Sequence, residues 1–396
     1  MDRKRILRLK ILPVLLIMLL VLSLLITFWM VWKNSGTGVT SDTEITVYKT
    51  GYCFDTVITL TAYTSQAESD ETSQILEDAL LLCQEYEAKY LDRFDENSEI
   101  GAINAAQRQA ISEEEPDGAA DEEADETDDD ATTGGESEAA VMAEYTYEIS
   151  DICRDLIEAG LYDYELSGGF FDLTITPLSD LWNVTDEDFT VPSVEQIAQA
   201  MSLVGSNRVS LSGNTLTLGE GQQLNFGSIA KGYMCEVLRQ YFTEHGLTHV
   251  IVNLGGNVFV MGGEEGYTVA VTNPLSENYA GTVSLSDGYV VTSGIYERGQ
   301  EVDGVWYHHI IDPATGYPAD TEIVSATVVM DTSDYPDSAA AWHSDALSTM
   351  FVLAGTQESA EDLWRRLKVD ENYDVLSQVI LVLEDGTVIV WSESDT

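Results

Sequence analysis

Apolar residues along this chain recur in two rhythms, one of period two and one near 3.6, and the switches between them outline its elements. From Ile45 to Tyr63 the alternation predicts two extended stretches around Gly51, carrying Tyr52, Phe54, Asp55 and Thr56. Ile75, Ala79, Leu82, Cys83, Tyr86 and Tyr90 share one helical face, and Phe94 to Glu99 follows as a polar turn with one aromatic. Ile149, Ile152, Cys153, Leu156, Ile157 and Leu161 mark a second helix, which runs into the glycine-rich turn Ser167-Gly168-Gly169 and an alternating stretch from Phe170 to Leu178. Ser193 and Gln196 form a capping-box pair that opens a short helix ending before Gly205. A hairpin is expected around Ser212-Gly213-Asn214.

The chain then reads Leu224-Asn-Phe-Gly-Ser-Ile-Ala-Lys-Gly-Tyr233, a strand, a glycine turn and a helix whose apolar face continues through Val237, Leu238, Tyr241 and Phe242 to the stop at Gly246. Val250 to Leu254 is a buried-strand pattern ending in Gly255-Gly256-Asn257, and Val258 to Met261 starts the next strand. Asp287-Gly288, Asp303-Gly304 and Asp385-Gly386 are hairpin-turn dipeptides. A strand from Ser325 to Met330, a helix from about Ser338 and another around Leu363, Trp364 and Leu367 complete the pattern. Helices and strands are interleaved, hairpin turns dominate the second half, and no solenoid period recurs. The class is α+β, with antiparallel sheets and flanking helices.

Two segments stand outside this pattern. Ile11 to Trp32 is apolar apart from Ser23 and Thr27, and its 22 residues at ~1.5 Å each would cross a bilayer core. A cleaved signal peptide has a shorter apolar region ending in small residues, whereas this run ends in Phe28, Trp29 and Trp32. It therefore reads as one uncleaved transmembrane helix. Arg3, Lys4, Arg5, Arg8 and Lys10 before it place the N-terminus in the cytoplasm and the rest of the chain outside. The expected organisation is a basic tail and anchor over 1–33, a linker over 34–44 and a domain over 45–396. Ser112 to Ala139 interrupts the domain with fourteen acidic residues and no basic or aromatic ones. That composition predicts a disordered surface insertion. A calcium site is the other reading of so dense a run of acids, but the Asp/Asn-Gly spacing of a calcium loop is missing.

Charge and cysteines narrow the function. The 396 residues carry a formal net charge of -51, from 69 acidic against 18 basic residues, and six of the basic ones flank the N-terminal apolar run. What remains argues against binding nucleic acid through a basic patch. The four cysteines, Cys53, Cys83, Cys153 and Cys235, have neither zinc-ligand nor redox-motif spacing and read as buried free thiols, although an exported protein could oxidise some of them.

Candidate chemistry gathers in two places. A glycine before a helix N-terminus, with Lys231 inside the first turn, suits an anionic phosphate, but a plain structural turn reads the same way. Asp345, Ser348 and Thr349 lie at i, i+3 and i+4, so one carboxylate and two hydroxyls can meet at a hard cation such as Mg²⁺, unless they form a solvated face or a cap. His308 and His309 point to opposite sides of a strand and cannot share a metal; one would be a base or substrate contact and the other exposed.

Seven ordered stretches resemble the FAD:protein FMN transferases, the ApbE family: Ser98-Glu99, Ser167 to Thr174, Leu224 to Tyr233, Val252 to Gly256, Thr292 to Arg298, His309 to Gly316, and Asp345 to Thr349. The resemblance covers Ile45 to the C-terminus apart from the acidic insertion. It implies a T-fold-like flavin transferase architecture and a membrane-anchored or exported enzyme that binds FAD and Mg²⁺. Such an enzyme joins the FMN phosphate to a Thr or Ser hydroxyl of another flavoprotein and releases AMP. Carried over by position, Mg²⁺ would be held by the Ser228 carbonyl, Asp345, Ser348 and Thr349. FAD would be contacted by Phe54, Phe94, Phe170, Phe171, Asp172, Asn225, Lys231 and Ile311, and His309 would handle the proton of the attacking hydroxyl. Phe54 stands where Met is usual, Phe94 where Tyr is common and Asn225 where Asp is common, so the last lacks a negative charge. An FAD pyrophosphatase, with water as acceptor, and a non-catalytic FAD-binding surface protein are the alternatives.

Overall fold

The structure, a computed structural model, describes residues 44–114, 143–263, 266–334 and 343–392. The chain divides into two compact units, Met1–Ile45 with Ser65–Ala67, and Thr46–Thr64 with Glu68–Thr396. Of the first, only Glu44, Ile45 and Ser65–Ala67 are described. The second holds the elements that matter for function.

In chain order these are strands β1 (Glu44–Cys53) and β2 (Thr56–Ser65), helix α1 (Ser69–Tyr86) with a π-helical turn at Glu87–Leu91, helix α2 (Glu99–Glu114), β3 (Glu144–Glu148), α3 (Asp151–Ser167), α4 (Thr176–Trp182) and α5 (Val194–Ser202). There follow β4 (Ser210–Ser212), β5 (Thr215–Gly219), α6 (Ala230–Glu244), β6 (Val250–Leu254), β7 (Asn257–Met261), β8 (Tyr267–Thr272), β9 (Tyr279–Leu285) and β10 (Gly288–Gly294). The last are β11 (Gly299–Val302), β12 (Val305–His308), β13 (Ile323–Asp331), α7 (Ser344–Leu353), α8 (Gln357–Leu367), β14 (Leu376–Leu383) and β15 (Val388–Ser392).

Eight strands form the main sheet in the order β1-β2-β6-β7-β10-β13-β14-β15. Its centre is apolar on both faces. Along β13, Ala326, Val328 and Met330 enter the large core while Val329 enters a second, smaller one. β14 repeats the division, with Val379 and Leu381 on one side and Ile380 on the other. A strand buried on both faces reads as a continuous apolar run, which is why the pattern at Ser325 to Met330 is dense rather than alternating. Helices α1, α3, α6, α7 and α8 supply the large core, and the β8–β9 hairpin supplies Val271, Val283 and Leu285 to the other. A third cluster joins Leu178 and Trp182 of α4 to Ile197 and Ala200 of α5 and to Ile311.

The α+β class with antiparallel sheets matches the expectation, and so does the capping box of α5, where Ser193 accepts from the Gln196 backbone and Gln196 from that of Ser193. All four cysteines are free and buried. Several local expectations are corrected. The turn between the first two strands is Phe54-Asp55, both at φ 55°, while Gly51 lies within β1. Asp287-Gly288 joins β9 to β10, which belong to different sheets, so it closes no hairpin. Asp303-Gly304 does close one, because Val302 pairs with Val305.

Phe170 to Ile175 and Leu224 to Phe226 are not ladder strands, although one isolated bridge joins Ile175 to Gln223. Side chains stand in for a neighbouring strand there. Asn104 of α2 accepts from the Leu224 N–H and donates to its carbonyl, each at 2.8 Å, and Gln107 accepts from Gly221 N–H at 2.7 Å. Helix α2 itself escapes the apolar pattern because Asn104 and Gln107 occupy buried positions where a periodic helix would carry apolar residues. It extends through Ser112 to Glu114, so the acidic segment begins as helix.

The rest of the acidic segment, 115–139, lies outside the described residues, as do the apolar run at 11–32, the linker up to residue 43, and 338–342 before α7. Among the described residues no helix is long and apolar enough to cross a membrane.

Candidate active site

An open cleft of about 770 Å³ is lined by the tip of β1–β2, the Arg93-Phe94 turn, Phe170 to Asp172, Asn225 to Ser228, the start of α6, the end of β10, and His309 to Ile311. Its size suits a cofactor-scale molecule. Every site residue expected from the resemblance lines it except Ser348, which is fully buried.

Lys231 and Asp345 meet here. Lys231 Nζ lies 3.1 and 3.2 Å from the two carboxylate oxygens, and the Asp345 side chain is almost fully buried. The same ammonium donates to the Gly227 carbonyl at 3.2 Å, so one charge touches both the Gly227–Ser228 turn and α7. The Gly232 N–H, in the first turn of α6, donates to Asp345 at 3.4 Å. The anion facing this helix N-terminus within the chain is therefore Asp345, which complements the dipole as a phosphate would.

The hydroxyls of α7 fold back onto their own helix. Ser348 Oγ donates to the Asp345 carbonyl at 2.9 Å and Thr349 Oγ1 at 3.3 Å. Ser293 of β10 gathers them, its Oγ lying 2.7 Å from Ser348 Oγ and 3.1 Å from Thr349 Oγ1. The set is thus one buried carboxylate with hydroxyl and carbonyl oxygens. Among the described residues no group of three or more His, Cys, Asp or Glu is placed to hold a metal ion. Oxygen donors with few charges fit Mg²⁺, which keeps places for water and phosphate, and do not fit zinc.

His309 and His308 part as a strand requires, but the second is buried, not exposed. Its Nε2 lies 3.1 Å from the Ala319 carbonyl, because β12 is covered there by the chain after Gly316. His309 faces the cleft. Its Nδ1 is 3.2 Å from the Arg298 carbonyl, and a carbonyl only accepts, so Nδ1 carries the proton and the neutral ring presents Nε2 as the acceptor. Burial pushes its pKa down to about 4, against the pull of the Arg298 carbonyl and with help from the charges of Arg298 and Lys231. The turn behind it is held by Asp312, which accepts from Ala314 N–H and Thr315 Oγ1, both at 2.9 Å.

Of the expected flavin contacts, Phe171 and Ile311 are buried in the cleft wall, while Phe94 is 65% exposed under the Arg93 guanidinium, 3.9 Å from its ring centre. Asp172 lines the cleft, yet its oxygens are taken: Oδ1 accepts from Thr174 N, Thr174 Oγ1 and Ser206 Oγ at 2.7, 2.6 and 2.7 Å, and Oδ2 from Ser206 N at 2.9 Å. It ties the Phe170–Phe171 loop to the segment after α5. Asn225 Oδ1 accepts from Gly227 N–H at 2.8 Å and shapes the turn before α6.

Sequence reading missed four cleft residues. Ser293 and Arg298 lie inside the quoted stretch Thr292 to Arg298, but only the hydroxyl contacts to α7 reveal what Ser293 does. Glu297, beside them, is pushed above the usual carboxylate range by burial, against Lys231 and Arg298. Glu87 sits on the π-helical turn, where helical periodicity breaks and gives no signal.

Residues 54–371 match the sequence model of the ApbE family. The chain is similar to the FAD:protein FMN transferase of Treponema pallidum (strain Nichols), 34% identical over 225 residues, which is 52% of this chain and 60% of that protein. It is also similar to the FAD:protein FMN transferase of Klebsiella pneumoniae (strain 342), 33% identical over 205 residues, 50% of this chain and 61% of that one. The chain thus spans about three fifths of the length of these curated relatives. Among solved structures, the ApbE protein of Thermotoga maritima superposes with a TM-score of 0.67 at 27% identity, covering 88% of this chain and 98% of that one. The apo flavinyl transferase ApbE of Pseudomonas stutzeri does so at 0.66 and 22% identity, over 89% and 96%, and shares the fold.

Proposed function

The chain belongs to the ApbE family, and from that membership we propose that it transfers the FMN moiety of FAD to a Thr or Ser hydroxyl of an extracytoplasmic flavoprotein, forming a phosphoester and releasing AMP. The observation that carries this reading is the joining of Lys231, Asp345 and the Ser293 and Thr349 hydroxyls, backed by buried Ser348, in a cleft that also presents Phe54, Phe94, Phe170 and Phe171. A polar end of this kind suits a diphosphate, and aromatic walls suit a flat ring system.

Mg²⁺ would be held by the Ser228 carbonyl, Asp345, Ser348 and Thr349, with Ser293 orienting the two hydroxyls. When bound it neutralises the diphosphate and polarises the reacting phosphorus centre. Lys231 supplies a fixed positive charge at the same place. The acceptor hydroxyl oxygen forms a bond to the FMN-side phosphorus, the bond from that phosphorus to the bridging oxygen breaks, and AMP departs with the electron pair. His309 Nε2 takes the hydroxyl proton. Phosphoryl transfer of this kind needs positioning and charge more than a covalent nucleophile.

The sequence supports the remaining part. The apolar run over 11–32, with its basic flank, anchors the chain in the membrane by one helix and leaves the transferase domain on the extracytoplasmic side. Incubating the protein with FAD, Mg²⁺ and a candidate acceptor tests the reaction. A mass increase of the acceptor by one FMN phosphoryl group supports transfer. Free FMN and AMP without it would mean hydrolysis, and neither would mean binding only.

A further inference from the structure

The tip of β1–β2 is built against its backbone preference. Phe54 and Asp55 both have φ of 55°, the left-handed region where two-residue hairpin turns ordinarily carry Asn and Gly. A bulky aromatic residue there is an outlier that the surroundings must hold in place. The holding is visible. Phe54 N–H donates to Glu87 Oε1 at 2.6 Å, Cys53 Sγ donates to Glu87 Oε2 at 3.1 Å, and Arg298 Nη2 donates to the Asp55 carbonyl at 3.3 Å. Burial, and then the bond to Glu87, pushes the Cys53 thiol up and keeps it a donor.

The clamp comes from a special place in its own element. Glu87 is the first residue of the π-helical turn Glu87–Leu91 that follows α1, and such turns recur at functional sites. Phe54, Asp55, Glu87 and Arg298 all line the cleft. An Asn-Gly turn would join these strands without strain and would present no ring.

We propose that Glu87 is a positioning residue: by clamping the strained Phe54–Asp55 turn, it holds the Phe54 ring as a wall of the flavin subsite. The proposal rests on the flavin reading above. It makes the wall a product of stored backbone strain, so relieving the strain should substitute for the clamp.

The full chain is tested by FAD titration, by AMP release at saturating FAD with the acceptor present, and by thermal unfolding without FAD. Glu87→Ala should raise the Kd for FAD about ten-fold, the scale of one lost charge-assisted hydrogen bond. Its kcat should stay within about two-fold, since Lys231, His309 and Asp345 are untouched. Glu87→Gln, which keeps an acceptor for Phe54 N–H, should recover most of the affinity. Adding Asp55→Gly to Glu87→Ala should bring the Kd back toward the starting value, and Asp55→Gly alone should raise the midpoint by about 2 °C. A Kd that Glu87→Ala leaves unchanged, a fall in kcat at constant Kd, or no recovery with Asp55→Gly would each overturn the proposal. Failure of the unaltered protein to bind FAD would instead overturn the flavin reading. The clamp would then be judged by the thermal midpoint, lowered by Glu87→Ala and restored by Asp55→Gly.

Discussion

Lys231 and Asp345, 114 positions apart, form an ion pair in which one ammonium lies 3.1 and 3.2 Å from both oxygens of an almost fully buried carboxylate. Neither partner has a close substitute. Among the described residues, Lys231→Met leaves the carboxylate with one 3.4 Å contact from Gly232, and it should destabilise the fold by about 3 kcal/mol, the cost of breaking a buried pair. The double change Lys231→Met with Asp345→Asn should recover much of that loss and still transfer no FMN to the acceptor. Thermal unfolding and the mass of the acceptor separate the two effects. Equal recovery of stability and turnover would mean that the pair is structural only.

Ser293 makes a narrower prediction. Its hydroxyl braces Ser348 and Thr349 at 2.7 and 3.1 Å, so Ser293→Ala should leave each anchored to the Asp345 carbonyl without that brace while removing little buried surface. The Mg²⁺ concentration for half-maximal activity should rise roughly five- to ten-fold, with stability lowered by only about 1 kcal/mol. An unchanged Mg²⁺ requirement would remove Ser293 from the site. Titration of metal binding by calorimetry on the FAD-free protein checks the same point without turnover.

Asp172 was expected to touch FAD, but four hydrogen bonds within the chain occupy its oxygens. Asp172→Ala should therefore act on folding first, costing about 3 kcal/mol by orphaning the Thr174 and Ser206 donors. Asp172→Asn keeps an acceptor oxygen and should lose less. If Asp172→Ala instead raised the Kd for FAD with an unchanged thermal midpoint, the carboxylate would be a direct contact.

How far the site could be read from sequence depends on the kind of order involved. Lys231 and Asp345 each sit on a helix whose apolar face is regular, so their local placement was legible, while their meeting needed the tertiary fold. Strand β13 was legible because burial on both faces leaves a dense apolar run from Ser325 to Met330. What stayed hidden was held by polar side chains. Leu224 to Phe226 looks like a strand because it is extended, yet Asn104 satisfies its backbone in place of a ladder. Helix α2 was missed for the complementary reason, since its inward face carries Asn104 and Gln107. The Phe54–Asp55 turn was displaced to Gly51 because glycine is the strongest sequence signal of a left-handed residue and an aromatic gives none, and here a carboxylate 33 positions from Phe54 enforces it.

His309 gives the pH dependence a sign. Histidine ordinarily ionises near pH 6.5, and burial lowers this one to about 4. Between those values the unfolded chain binds a proton here that the native chain does not, so stability should fall as pH drops through that window and change no further from this source below it. His309→Ala should remove that part of the decline. For activity, the ring is neutral with Nε2 free above about pH 4, because Nδ1 is committed to the Arg298 carbonyl. The acidic limb of kcat/KM should accordingly lie near pH 4 in place of 6.5. His309→Ala should cost about 10²- to 10⁴-fold in transfer and abolish the limb. His309→Gln, which can neither take a proton nor release one, should be as slow as Ala even if it folds as well as the unaltered chain. Full transfer activity in either variant would take the proton-accepting role away from His309.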